Sequence, residues 1–186
     1  RAAKGEFKGL ERELEPITLV LDSLKKRYGV DLKKQFTDAF KKKDEQAVAE
    51  TVWKLVYFDM RELQDSIAEK DKKRSAALLK GWHKIAYLNY LYLSEEVVKR
   101  EYTPKDKKKK PEKGVLIDSR IKRLFRGAYF ALGKTSPYKR TKTKADLEMY
   151  GKISKAIADE ILKVFPLFEV KQQEKKTVKQ KTEENK

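Results

Sequence analysis

One stretch of this chain gathers residue types that could do chemistry. GWHKIAYLNYLYLS, residues 81–94, holds the only histidine, His83, together with Asn89, four aromatic rings and a single charged residue, Lys84. An imidazole can ligate a metal or move a proton near neutral pH. Either task needs partners, and no HExxH or ExxH spacing surrounds His83, so neither a zinc site nor an iron-carboxylate bundle is indicated. His83 falls at the edge of an apolar helical face, beside Tyr90 and Ser94, and reads as a packed, hydrogen-bonded side chain. Asp59 and Asn89 fall within the apolar faces of their helices. They read as a polar contact that sets helix register, with a ligand or ion contact as the sharper alternative. A buried, ionised Asp59 would need a partner such as Lys or Arg.

Other reactive constellations are missing. There is no cysteine, which removes disulfides, thiolate metal sites, haem attachment through CxxCH and cysteine nucleophiles. GxGxxG, GxxxxGK[ST] and GxSxG do not occur. Acidic clusters such as DMRELQD and SEE match ordinary solvated helix faces. The expectation is a protein that is not an enzyme and needs no cofactor or metal.

The elements that would hold these residues are helices. Lysine, glutamate, alanine and leucine dominate while glycine and proline are scarce. A first helix is expected over 6–28, with Pro16 opening its main part or kinking it. Leu10, Leu14, Ile17, Leu21 and Leu24 form its apolar stripe. Asp31 would cap a short helix over 32–41, and Asp44 would start a third running to about Lys70. The fourth spans about Ser75 to Glu101, with Leu78, Leu79, Trp82, Ile85, Ala86, Asn89, Leu93 and Val97 on one face and Leu88 and Leu91 opposite. A helix apolar nearly all round should be central or covered. A solvated loop over 103–114 leads to a fifth helix from about Val115 to Leu132. A second loop, KTSPYKRTKTK, precedes a sixth over 145–165, stopped before Pro166.

The fold class expected is all-α: an up-and-down four-helix bundle with one or two additional short helices. Residues 1–170 would form this single domain, and residues 171–186 a polar, disordered tail. The third and fourth helices also match one another at an offset of 30 residues, Lys54-Leu-Val-Tyr-Phe-Asp59 against Lys84-Ile-Ala-Tyr-Leu-Asn89. Duplication would produce such a match, and so would convergence of two amphipathic helices in one bundle.

Charge gives the one functional direction. Of the net +17, the segment Lys99–Lys144 carries most, with 17 basic and 4 acidic residues. Lys107, Lys108, Lys109 and Lys110 precede the fifth helix, Lys122, Arg123 and Arg126 stripe it, and Lys139, Arg140, Lys142 and Lys144 follow it. With the two loops at opposite ends of that helix, these cations would form a strip roughly 27 Å long at 1.5 Å per residue. Such a strip should meet a negative partner. Acidic protein surfaces are the first candidate. Nucleic acid is the alternative, with Phe130 and Tyr138 available for stacking. A small-ligand bundle using Asp59, His83 and Asn89 is a further one. No apolar run approaches the ~18–20 residues needed to span a bilayer.

Two stretches carry a family resemblance. KDKKRSAALLKGWHKIAYLNYL, 70–91, resembles the third helix of the Q-type extrinsic subunit of photosystem II, where a lysine-rich turn precedes an amphipathic helix. TSPYKRTKTKADLEMYGKISKAIADEIL, 135–162, resembles that family's last helix, with Tyr150-Gly151 and then Glu160 before Leu162. The helix bearing Trp53 and MRELQDSI, 60–67, resembles the family's second. The resemblance covers about half of the chain. It implies a four-helix bundle in the chloroplast thylakoid lumen, peripheral to the membrane. Such a protein is non-catalytic and docks on the lumenal face of the photosystem, where it stabilises the oxygen-evolving complex. A chain starting at Arg1 rather than methionine is what removal of a targeting peptide, or trimming, would leave. The short helix 32–41 and the segment 99–144 depart from the family, whose proline-rich amino terminus is not seen. The most charged part of the chain therefore lies outside the resemblance.

Overall fold

Three of the helix starts are fixed by the side chains that the sequence suggests. In the computed structural model, which describes residue 7 and residues 9–69, 74–104, 110–133 and 144–169, Asp31 accepts from the Lys34 amide at 2.9 Å. Asp44 accepts from Ala47 at 2.9 Å, and Ser75 from Leu78 at 3.2 Å. Each satisfies an amide that the first helical turn leaves without a partner. The helices they open are α2 (Leu32–Lys42), α3 (Glu45–Ala68) and α4 (Ala76–Lys99). Asp146 caps α6 (Leu147–Val164) in the same way, through Met149 at 2.9 Å.

The first helix differs from expectation. Leu10–Ile17 is a 3₁₀ helix containing Pro16, and only from Thr18 does α1 (Thr18–Tyr28) take the α form. Proline has no amide hydrogen to give to an α-helical ladder, so the regular helix starts after it. Gly29 closes α1 in the left-handed conformation, φ 71°, its amide bonded to the Lys25 carbonyl.

α3, α4, α5 (Gly114–Ala131) and α6 form the four-helix bundle, α3 packing on α4, α4 on α5, α5 on α6, and α6 back on α3. α1 and α2 lie against α3. Ser23 donates to Glu62 at 2.8 Å and Tyr28 to Asp65 at 2.8 Å, so α1 is tied along one side of that helix. The all-α class and the bundle with additional short helices therefore hold. The expected tail, 171–186, lies outside the described residues.

The core is a large aliphatic and aromatic cluster running through the bundle, with a smaller second cluster of Ile67, Leu79, Ala128, Leu132 and Tyr150. The large cluster includes Leu24, Phe36, Phe58, Met60, Tyr90, Leu93, Ile117, Phe125, Ile157 and Ile161. Fully burying each large side chain contributes about 1.5–3 kcal/mol, which makes this cluster the main source of stability.

Two details correct the sequence reading. The buried face of α4 is Leu79, His83, Ala86, Tyr90, Leu93, Ser94 and Val97. Leu78 and Ile85, placed in the core by pattern, are exposed, as are Leu88 and Leu91. The face is rotated because Tyr90, Ser94 and His83 bring polar atoms that find partners inside, so burying them carries no unpaired polar cost. The second detail is the 103–114 loop, whose flanks pair. β1 (Glu101–Tyr102) runs antiparallel to β2 (Glu112–Lys113), Glu101 opposite Lys113. This brings α5 hard against the end of α4. A Cβ at Gly114 would collide with the carbonyl oxygens of Val97 and Arg100, so only glycine fits there.

Candidate functional site

His83 sits at the centre of the buried face of α4 rather than at its edge. Its Nδ1 lies 3.1 Å from the Tyr150 hydroxyl of α6, and the rings of Phe125, Tyr129 and Tyr150 surround it at 5.6–5.8 Å. Burial pushes its pKa down to about 4, so it is neutral at physiological pH. Among the described residues no group of three or more His, Cys, Asp or Glu could hold a metal. The packed, hydrogen-bonded reading of His83 fits this geometry.

Asp59 and Asn89 do meet. The Asn89 side-chain amide donates to the Asp59 carboxylate, linking α3 to α4. The charged partner expected for Asp59 is replaced by a neutral amide. Burial raises the Asp59 pKa, partly opposed by the Asn89 hydrogen bond. The three residues do not converge: His83 faces α5 and α6, whereas Asn89 turns to α3.

A buried acid that pattern reading missed sits one step along. Asp118 of α5 accepts from Tyr90 at 2.7 Å and from Ser94 at 2.7 Å, and pairs with Lys122 at 2.8 Å. Burial alone would raise its pKa, but Lys122 and the two hydroxyls outweigh that and hold it below the usual value. Two signals pointed to it: a carboxylate one place from the buried stripe Ile117–Ile121, and an Asp–Lys pair at i, i+4.

The cationic strip divides into two sets. In one, cations are held by the protein itself. Lys122 is bound to Asp118, and this corrects its assignment to a free basic stripe. Arg120 joins Glu112 at 2.6 Å to Glu160 at 3.0 Å, tying β2, α5 and α6 together. Lys99 pairs with Glu96 at 2.7 Å. In the other set, Arg123 and Arg126 on the outer face of α5, Lys110 before it and Lys144 after it are exposed. Among the described residues, no carboxylate pairs with any of these four. Lys107, Lys108, Lys109, Lys139, Arg140, Lys142 and Tyr138 lie outside the described residues. The outer face of α5 also exposes Leu116 and Phe130, whereas Tyr129, though partly exposed, turns toward His83 of α4. Two arginines flanked by exposed apolar side chains suit a partner surface.

Compared with known proteins, the chain matches no protein-family model, no curated protein and no solved structure.

Proposed function

We propose that the chain is a non-enzymatic docking subunit that binds an acidic protein surface through the outer face of α5. One observation carries this reading. Arg123 and Arg126 stand exposed, with no carboxylate paired to them among the described residues, and Leu116 and Phe130 are exposed on the same face. One turn before Arg123 and one residue before it, Arg120 and Lys122 are tied down by the protein's own acids. Cations left available beside apolar contact area supply attraction and burial together.

The partner proposed is the lumenal face of photosystem II. This rests on the sequence resemblance of residues 70–91 and 135–162 to the Q-type extrinsic family. On this reading the protein lies in the thylakoid lumen, peripheral to the membrane, and stabilises the oxygen-evolving complex. Among the described residues no helix is long and apolar enough to cross a membrane.

Co-sedimentation with photosystem II membranes stripped of extrinsic proteins tests the proposal. Exposed ion pairs contribute ~0–1 kcal/mol each, so binding is multivalent and weakens steeply with salt, release being expected near roughly molar NaCl. The charge reversal Arg123→Glu with Arg126→Glu should weaken binding about tenfold at low salt. Binding that ignores both salt and the reversal overturns the reading. Gel shifts whose log affinity falls linearly with log salt would instead assign the face to nucleic acid.

A further inference from the structure

Where α2, the start of α3 and the chain after α6 meet lies a cavity of about 580 Å³ that no residue of α5 lines. That size suits a small organic ligand. Its floor is apolar. Phe165 and Phe168 stack with centroids 4.7 Å apart and planes 10° from parallel, beside buried Ala39. Leu167 stands at the lip, 78% exposed.

Three cations line this cavity: Lys42 is exposed at its rim, while Lys54 and Arg100 are more buried and have no counter-ion among the described residues. Lys54 of α3 is half-buried, and its one hydrogen bond is long, Nζ to Gln35 Oε1 at 3.4 Å. Arg100, just past α4, lies over aromatic rings, its Cζ 4.1 Å from the Phe165 centroid and 5.5 Å from that of Trp53. It also donates to the Val164 carbonyl at 3.4 Å. Among the described residues no carboxylate pairs with either. Elsewhere in this bundle a charge taken out of water has partners, as Asp118 does. Burial lowers the pKa of Lys54, in keeping with an ammonium that has lost solvent and gained no anion.

Carboxylates do border the cavity, but at its exposed rim. Asp44 is engaged in capping α3, Glu50 accepts from the Gln46 amide at 2.9 Å, and Asp38 stands on the outer side of α2. They leave Lys54 unpaired and would repel a polyanion such as a nucleotide. A neutral ligand would leave the same lysine without a partner.

We propose that this cavity binds a small monoanionic amphiphile, its carboxylate head on Lys54 and Arg100 and its apolar body over Phe165 and Phe168. The site is independent of the α5 docking face, and either can fail without the other.

Titration calorimetry of the full chain with sodium octanoate and 4-phenylbutyrate tests it, with 1-octanol and octylammonium as neutral and cationic controls. The acids should bind and the controls should not. Lys54→Met keeps the aliphatic stem and removes the charge, and it should lower octanoate affinity roughly tenfold. Lys54→Arg should restore most of it. Because Lys54 has no ion pair to lose, Lys54→Met should keep or raise the melting temperature, which separates lost binding from lost folding. Equal binding of octanoate and octanol, unchanged binding by Lys54→Met, or no heat with millimolar acid each overturns the proposal.

Discussion

Asn89 and Tyr90, adjacent on α4, reach carboxylates on opposite neighbours, and the two contacts are chemically unlike. Asn89 meets Asp59 of α3 with a neutral amide, and burial raises the pKa of that acid. Tyr90 meets Asp118 of α5, where Ser94 and Lys122 join it, and that pKa falls despite burial. Depth therefore does not decide whether a carboxylate inside this bundle prefers its charge. Donor number and the presence of one cation do. The α4–α5 seam holds an anion that the fold needs, whereas the α3–α4 seam holds one that the fold tolerates.

Removing Asp118 should break that contrast most visibly. Asp118→Ala strands two buried hydroxyls and the Lys122 ammonium, at a cost of about 3–4 kcal/mol in urea denaturation at pH 7. The sign with pH follows from its lowered pKa. The stabilisation is complete above the usual carboxylate value of 3.8 and is lost as pH falls through the lower folded value. A cost no larger than that of Asp59→Ala would remove the distinction between the seams.

His83 sharpens the comparison from a third direction, because its partner, the Tyr150 hydroxyl, is also uncharged. Burial again favours the neutral form, now by lowering the pKa to about 4 from 6.5. The unfolded chain takes up a proton below 6.5 that the folded chain resists until about 4. Stability is therefore full above 6.5 and declines across that window, by about 2 kcal/mol at pH 5. In His83→Phe that slope should vanish, while stability at pH 7 stays within about 1.5 kcal/mol of wild type. Denaturation midpoints measured from pH 7 to pH 4.5 read it directly. An unchanged slope would place the titrating group elsewhere.

What was legible in the sequence was mostly local. Asp31, Asp44 and Ser75 announced their helices because an N-cap needs only its own turn. The buried face of α4 was misjudged by about half a residue's rotation, because aliphatic count favoured Leu78 and Ile85. Tyr90 and His83, which the bundle prefers, become good core residues only through partners on α5 and α6. The cationic segment was legible as a charge excess but not as two populations. Nothing in the order of residues 99–144 says that Arg120 meets Glu160, 40 positions on, while Arg123 meets no acid among the described residues. The cavity beside Lys54 was invisible for the same reason. Pro166 read as the stop of a helix, and only the packing of α2 beside Phe165 and Phe168 makes a floor.

The smallest effect is the most discriminating. Asp59 and Asn89 are the matching members of the two similar segments, 30 residues apart, and they meet where α3 crosses α4. Asp59→Asn would place like on like at that crossing, keeping one hydrogen bond and removing a partly buried charge. With its pKa raised on folding, the wild-type carboxylate favours the folded state at low pH, and that advantage disappears as pH rises from 3.8 through the folded value. Asp59→Asn should therefore change stability at pH 7 by no more than about 0.5–1 kcal/mol, toward greater stability. Plotted against pH from 3 to 7, its difference from wild type should slope opposite to that of Asp118→Asn. Parallel slopes would mean that both acids answer to burial alone, and that Lys122 and the two hydroxyls do not distinguish the seams.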